Sequence, residues 1–472
     1  MKQLIIILLF SYSSLGQGPT IEWQKSLGGS NQDASYSIQH TSDGGYIVAG
    51  WSTSNDGDVT SNNGSHDYWI IKLTNTGDIS WQKSFGGSDE DNALSIEQTT
   101  DGGYIVAGYS YSNDGDVTGN HGGPDYLVVK LDNVGNISWQ KSLGGSNQEY
   151  TFSIQATYDG GYIVAGLSLS NDGDVTGNHG FNDCWVVKLD DVGNINWQKS
   201  LGGSGDDRAW SIQQTADSGY IVAGSSNSID GDVTGNNGGL DYWVVKLANS
   251  GSIEWEKSMG GSLDESPWSI QQTTDGGYIV AGWSFSNNGD VTGNNGGKDY
   301  WVVKLDTLGD ISWQKSMGGS YEEIAYSIRQ TIDGGYIIAG SSASNDGDVT
   351  SNNGDLDNWI IKLNNSGNID WQKSMGGSNL DVAISIQSTT DGGYIVVGPV
   401  NSGNGDVTGY NGNGDCWIVK LGPDATFEEL LTGDKELLKI CNLLGQETED
   451  KPNTSLLYVY SDGSIEKVYR IE

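Results

Sequence analysis

Apolar and polar residues follow a pattern that repeats along the chain every 58 residues. In the second unit, strand-like runs cover residues 93–99, 104–110, 125–131 and 137–143, and Asp-Gly and Gly-Asn turn sequences separate the first two and the last two. The second and third runs are apolar on both faces, as in strands buried between two sheets. The fourth alternates, as in an outer strand. The pattern predicts four antiparallel strands per unit.

Tryptophans mark the repeat without insertion or deletion. One series is spaced by 58 residues and comprises Trp23, Trp81, Trp139, Trp197, Trp255, Trp313 and Trp371. A second series follows 46 residues later at Trp69, Trp185, Trp243, Trp301, Trp359 and Trp417, with Leu127 in the remaining copy. Seven copies of four strands are typical of a β-propeller. The composition, with 71 glycines, 23 tyrosines and only six prolines, agrees with strands and tight turns.

The two ends of the repeat array complement each other. Residues 19–27 form a lone fourth strand, and the last unit stops at Leu421 after three strands. An open solenoid, the alternative, needs atypical polar end repeats. We therefore predict an all-β, seven-bladed propeller over residues 17–421, closed by the N-terminal strand in the last blade. Residues 422–472 are expected to form a separate tail with a hairpin that turns at residues 461–464.

Three acidic positions recur in every unit and are expected near one face of the ring. They are the loop acids Asp58, Asp116, Asp174, Asp232, Asp290, Asp348 and Asp406, the third-strand acids Asp67, Asp125, Asp183, Asp241, Asp299, Asp357 and Asp415, and the first-strand acids Asp33, Asp91, Glu149, Asp207, Glu265, Glu323 and Asp381. Aspartate caps turns by accepting backbone N–H bonds, so we expect these acids to be structural. The loops also loosely resemble the calcium loops of integrin-type propellers, which makes Ca²⁺ a candidate accessory ion.

Catalysis and metal binding have little support in the sequence. Acids on a rim could serve glycoside hydrolysis, but near-identical blades give near-identical environments, whereas a catalytic pair needs two different ones. His40, His66, His121 and His179 show no metal-ligand spacing. We therefore assign no catalytic, cofactor-binding or metal-binding residues. The recurring lysines, such as Lys25 and Lys72, are expected to pair with nearby aspartates and to cover tryptophan, where cation–π contacts could form.

Specificity is expected where the repeats differ. Thirteen residues after each marker tryptophan, the first strand carries Tyr36, Leu94, Phe152, Trp210, Trp268, Tyr326 and Ile384. Aromatic side chains here could stack on sugar rings, or they could pack between blades. The loop tip before the third strand varies as well.

The charge and the termini suggest an extracellular address. A formal net charge of −38 argues against nucleic acid and anionic membranes as partners. Residues 1–16 have the charged and apolar regions of a secretory signal peptide, with cleavage expected after Gly16. No segment is apolar enough to span a membrane.

Cys184 and Cys416 occupy a position where most other repeats have tyrosine, so we expect them to be core residues and expect no disulfide framework.

The repeat "DGGYIVAG…DYWVVKL…GNIxWQKxxGG" resembles the units of secreted bacterial propeller proteins, over residues 19–421. Residues 130–140, "KLDNVGNISWQ", also resemble the tryptophan-docking blades of quinone-dependent dehydrogenases, which implies the fold only. "NLLGQE" and "YSDGSIEKVYRIE" in the tail resemble the C-terminal sorting module of type IX secretion, which would make that secretion machinery a partner.

These observations favour a monomeric binding or adhesion scaffold that is secreted or displayed on the cell surface. Its expected ligand is an extracellular carbohydrate or protein. A glucanase-like polysaccharide hydrolase and a calcium-stabilised structural protein of the cell surface are the alternatives.

Overall fold

The structure, a computed structural model, describes residues 16–424, 437–442, 448, 455–460 and 465–469. The chain divides into two compact units, Met1–Gly422 and Pro423–Glu472. The predicted signal peptide lies almost wholly outside the described residues. No helix is present in the described part, and therefore none there is long and apolar enough to cross a membrane.

The first unit is a closed ring of seven four-stranded antiparallel blades, which confirms the predicted fold. The first strands are Asp33–His40, Asp91–Gln98, Glu149–Ala156, Asp207–Gln214, Glu265–Gln272, Glu323–Gln330 and Ser385–Ser388. The second strands are Tyr46–Ser52, Tyr104–Ser110, Tyr162–Ser168, Tyr220–Ser226, Tyr278–Ser284, Tyr336–Ser342 and Tyr394–Val400. The third strands are Asp67–Leu73, Asp125–Leu131, Asp183–Leu189, Asp241–Leu247, Asp299–Leu305, Asp357–Leu363 and Asp415–Leu421. The fourth strands of blades 1 to 6 are Ile79–Phe85, Ile137–Leu143, Ile195–Leu201, Ile253–Met259, Ile311–Met317 and Ile369–Met375.

The N-terminal strand closes the ring as predicted. Ile21–Leu27 is the fourth strand of blade 7 and pairs antiparallel with Asp415–Leu421. The indole N–H of Trp417 donates to Gln24 Oε1 at 2.8 Å, and Lys420 Nζ lies 3.2 Å from Glu22 Oε2. Gly16–Gln17 adds a short parallel strand to the edge of blade 6. An open solenoid is therefore excluded.

Seven hydrophobic cores lie between neighbouring blades because the second and third strands are buried on both faces. At each junction, the marker tryptophan of one fourth strand packs edge-on against the tyrosine that begins the next blade's second strand, with centroids 5.7–5.9 Å apart. The second tryptophan series is almost fully buried. Cys184 and Cys416 are buried free thiols in these cores, as expected.

A β-bulge interrupts the first strand of blades 1 to 6. In blade 4, Ala209 pairs with Gly224 and Ser211 with Ala223, which leaves Trp210 as the extra residue. Glycine faces the bulge because a Cβ on Gly224 would clash with the Arg208 carbonyl oxygen. The first strands begin slightly earlier than predicted: in blade 2 the strand starts at Asp91, which pairs with Ser110.

The second unit contains the strands Leu437–Asn442, Ser455–Tyr460 and Ile465–Tyr469 in one antiparallel sheet. The predicted hairpin is formed by the last two of these strands. Its turn, residues 461–464, lies outside the described residues.

Candidate functional site

The first strands line the central channel, and in blades 1 to 6 the bulge brings two consecutive side chains of the strand to it. A regular strand would point them to opposite faces, but a bulge re-aims one of them. At the mouth, a cavity of about 320 Å³ is lined by the seven variable side chains Tyr36, Leu94, Phe152, Trp210, Trp268, Tyr326 and Ile384 together with the serines that follow them. Deeper in the channel lies a polar cavity of about 250 Å³.

Aromatic rings occupy one side of this mouth. Phe152 lies 4.5 Å from Trp210, Trp210 lies 4.4 Å from Trp268, and Trp268 lies 5.2 Å from Tyr326, all measured between ring centroids. These four side chains, the aromatic arc, run across blades 3 to 6 and are half-buried. The expectation that these rings pack between blades is confirmed, and the rings also line a cavity. The opposite side carries Ile384, Tyr36 and Leu94, so the mouth departs from sevenfold symmetry.

The indole N–H groups of the arc differ in their bonding. Trp210 donates to Ser225 Oγ at 3.2 Å. Trp268 has no acceptor among the described residues, since Trp283 stands where blade 4 has Ser225.

Below the arc, a ring of seven serines stitches the blades together. Each Oγ accepts a bond of 3.2–3.4 Å from a backbone N–H of the next blade's first strand. The serines are Ser37, Ser95, Ser153, Ser211, Ser269, Ser327 and Ser385. Because all seven bonds form, this level is the same in every blade and holds the mouth residues at fixed positions.

The next level down is where individual blades differ most in charge. Five blades carry glutamine here, at Gln39, Gln155, Gln213, Gln271 and Gln387, while blade 2 carries Glu97 and blade 6 carries Arg329. In blades 1 to 5 the side-chain oxygen accepts a backbone N–H of the following blade at 2.5–2.6 Å. Burial raises the pKa of Glu97 to about 7, although its bond from the Ala156 N–H works in the opposite direction.

The first-strand acids and the third-strand acids do not form an exposed rim. Both sets are almost fully buried. Asp33 accepts bonds from the Gly29 N–H at 2.7 Å and from the hydroxyl groups of Ser52 and Ser54. Asp67 accepts the Asn63 N–H at 2.6 Å, and the loop acid Asp58 accepts the Gly28 N–H at 3.2 Å. These bonds agree with the expectation that the acids are structural.

Each third-strand acid keeps one oxygen, Oδ1, without a hydrogen-bond partner among the described residues. The pKa is raised to about 6 in Asp67, Asp125, Asp183, Asp357 and Asp415, and to about 7 in Asp241 and Asp299. Burial is the main cause, and neighbouring carboxylates add to it. A carboxyl group that keeps its proton near neutral pH avoids the cost of burying a charge without compensation.

Other polar groups that the sequence singled out have structural partners. Each third-strand lysine forms a salt bridge with the aspartate in the turn between the first and second strands of the same blade, as Lys72 does with Asp43 at 2.9 Å. His121 and His179 contact Asp125 and Asp183 at 2.7 Å. Cation–π contacts in the described residues involve Lys298, which lies over Trp283 and Phe285, and not the recurring lysines. In the described residues, no three His, Cys, Asp or Glu side chains come together to hold a metal ion.

The sequence located the mouth residues but missed the charged level beneath them. In blades 1 to 6, the variable position thirteen residues after each marker tryptophan is the bulge position. Four of the five aromatic residues at this position form the arc, and Tyr36 is the fifth. Glu97 and Arg329 were not singled out. Aligning the seven "SIxx" segments of the first strands would have revealed them, because glutamine occupies the other five copies of that position.

No protein-family model matches the chain. It is 22% identical over 362 residues to the regulatory protein FlaEY of Caulobacter vibrioides, which covers 67% of this chain and 35% of FlaEY. The chain thus spans about a third of that relative.

Solved structures resemble the chain more distantly. A puromycin hydrolase shares 9% identity over 94% of this chain and 62% of that chain, with a TM-score of 0.47. YCF48 bound to D1 peptide shares 10% identity over 88% of this chain and 100% of that chain, with a TM-score of 0.46.

Proposed function

We propose that this chain is a secreted or surface-displayed glycan-binding protein, and that its ligand binds at the channel mouth against the aromatic arc. The observation that carries the proposal is the arc itself, formed by four half-buried rings on one side of a cavity of about 320 Å³. Small-ligand pockets are concave, fall at about 300–1,000 Å³ and combine aromatic walls with a few polar groups. The serine ring supplies polar groups directly beneath the arc.

A sugar ring suits this combination because it has an apolar face and a hydroxyl-rich edge. The apolar face would lie on Trp210 and Trp268, which are amphipathic side chains that offer large contact areas. The predicted signal peptide and the tail's resemblance to a type IX sorting module support an extracellular location, where polysaccharides are abundant.

The arrangement gives less support to hydrolysis. Glycoside hydrolysis requires two carboxyl groups on either side of one bond. In the described residues, Glu97 is the one carboxylate that lines the two channel cavities. The recurring acids, which the hydrolase alternative invoked, are buried against backbone N–H groups.

A glycan array followed by calorimetry tests the proposal. We expect the wild-type protein to bind a defined group of glycans on the array. The double variant W210A/W268A should bind them at least about 10-fold more weakly, since each lost aromatic contact is worth about 0.5–1.5 kcal/mol beyond its buried area. The matched control is Y158A. Tyr158 is an aromatic residue that is 75% exposed in the turn between the first and second strands of blade 3, outside the channel. Equal binding by all three proteins, or no glycan binding by the wild type, would contradict the proposal.

A further inference from the structure

Arg329 is an unusual residue for this protein. The chain has 23 basic and 61 acidic residues, and three of the basic ones are arginines. Arg208 pairs with Asp206 at 2.6 Å, and Arg470 lies outside the described residues. Arg329 is placed in the central channel, where it lines both the mouth cavity and the polar cavity below it. It therefore lies between the aromatic arc and the cavity that the glutamines of the other blades line.

The guanidinium of Arg329 has no carboxylate partner among the described residues. Its Nη1 donates to Ser269 Oγ at 3.1 Å and to the Ile328 carbonyl oxygen at 2.8 Å. Both of these bonds are made by Nη1, so Nε and Nη2 have no acceptor among the described residues. The charged residue of blade 2, Glu97, directs its carboxylate to the backbone N–H of Ala156 at 2.6 Å instead.

An unpaired charge in a narrow channel carries a cost. Burying a charge without a counter-ion is unfavourable, and a guanidinium stays protonated rather than losing its charge. Arginine in place of glutamine also removes a hydrogen-bond acceptor from this position. The glutamines of blades 1, 3, 4 and 5 each accept a backbone N–H of the next blade, and an arginine side chain has no acceptor. Glutamine would satisfy this position structurally, so the arginine needs another explanation.

We propose that Arg329 binds a carboxylate of the ligand, so that the glycan held at the mouth is an acidic one that contains uronate residues. This inference rests on the proposed glycan binding. The arc would hold the sugar rings, and the carboxylate would reach down past Ser269 to the free Nε and Nη2 donors of Arg329. Guanidinium and carboxylate match each other geometrically through two parallel N–H bonds. A protein with a net charge of −38 repels anions at long range, so an acidic glycan would be held by this local contact and not by the overall charge.

Calorimetry with paired ligands tests the inference. The probes are uronate oligosaccharides and the same oligosaccharides after chemical reduction of their carboxylates to neutral sugars. We expect the wild type to bind the acidic form at least 10-fold more tightly than the reduced form, and R329Q to bind both forms equally. R329Q restores the residue found in five other blades, so it should fold normally. R208Q, the matched control, should keep the preference because Arg208 already has a partner.

The outcomes separate the two proposals. Equal binding of both forms by the wild type, or an acid preference that persists in R329Q, would overturn the role of Arg329 and leave glycan binding intact. Loss of binding of both forms in W210A would still support the arc. Failure of the wild type to bind either series, while it binds other glycans on the array, would overturn the role of Arg329 alone, and failure to bind any glycan in both experiments would overturn both proposals.

Discussion

Single substitutions within an otherwise uniform repeat locate the chemistry of this molecule. The serine ring is the same in all seven blades because every blade needs its bond to the next. Trp210 and Trp268, in contrast, occupy a position where the other blades have tyrosine, phenylalanine, leucine or isoleucine. Arg329 occupies a second position, where the other blades have glutamine or glutamate. Residues that the repeat does not require for folding are free to differ, and they converge on one side of one channel.

At the residue scale, we expect E97Q to stabilise the propeller above neutral pH. Glutamine can still accept the Ala156 N–H, as glutamine does in the equivalent bonds. The folded-state pKa of Glu97 is raised to about 7. The folded state therefore binds the Glu97 proton more tightly than the unfolded chain does. This contribution to the free energy of unfolding is fully present below the unfolded-state pKa and is lost as the pH rises through about 7. Chemical denaturation should therefore show E97Q more stable at pH 8, on the order of 1–2 kcal/mol, and nearly unchanged at pH 4. A larger gain at pH 4 than at pH 8 would contradict this.

The first strand with its bulge is the element that forms the site. The bulge turns a residue that would face a neighbouring blade into one that lines the mouth, and the glycine opposite makes the close approach possible. Sequence periodicity predicted the strand and its order in the blade. It could not predict the bulge, because an extra residue is defined by the partner strand's register and leaves no gap in a repeat of constant length.

At the element scale, we expect G224A to disturb the bulge of blade 4. The added Cβ clashes with the Arg208 carbonyl oxygen, so the strands must separate. The free energy of unfolding should fall by about 2–3 kcal/mol, and glycan affinity should fall because Trp210 moves. G177A is the control, since nothing lies within 4 Å of its Cβ and only its φ of 86° is strained. It should cost about 1 kcal/mol and leave affinity unchanged. If G224A bound glycan as the wild type does, the bulge would not position the site.

At the scale of the whole molecule, the first unit is a closed ring that buries a repeated set of carboxyl groups. Ring closure was predictable because residues 19–27 supply the one strand that the last unit lacks. The burial of Asp67 and its equivalents was not, because a conserved spacing does not tell a solvated acid from one enclosed at a blade junction. The same limit applies to Arg329, whose unpaired state depends on which side chains the ring brings across the channel.

At this scale, we expect mild acid to stabilise the propeller. The third-strand acids have pKa values raised to about 6 or 7, so the folded state binds their protons more tightly than the unfolded chain. Their contribution is complete below about pH 4 and is lost as the pH rises through 7. The turn aspartates, such as Asp43 with a pKa lowered to about 2, act in the opposite direction only in stronger acid.

Thermal melts between pH 4 and pH 8 check this expectation. The melting temperature at pH 5 should exceed that at pH 8 by about 5–10 °C. This follows if the free energy of unfolding differs by several kcal/mol between the two pH values in a domain of this size. Parallel melts with EDTA and with CaCl₂ address the calcium-stabilised alternative, which requires EDTA to lower the melting temperature. A melting temperature that rises steadily from pH 5 to pH 8 would contradict the assignment of buried, proton-binding carboxyl groups.

The central claim is that a ligand occupies the aromatic arc, and ¹⁹F NMR of protein labelled with 5-fluorotryptophan tests it most directly. W210F and W268F assign the two resonances of interest among the 17 tryptophans. On titration with a glycan retained on the array, the resonances of Trp210 and Trp268 should shift, while those of the buried series that includes Trp69 and Trp185 should not. Saturable binding that leaves both arc resonances unchanged would place the site elsewhere and contradict the account.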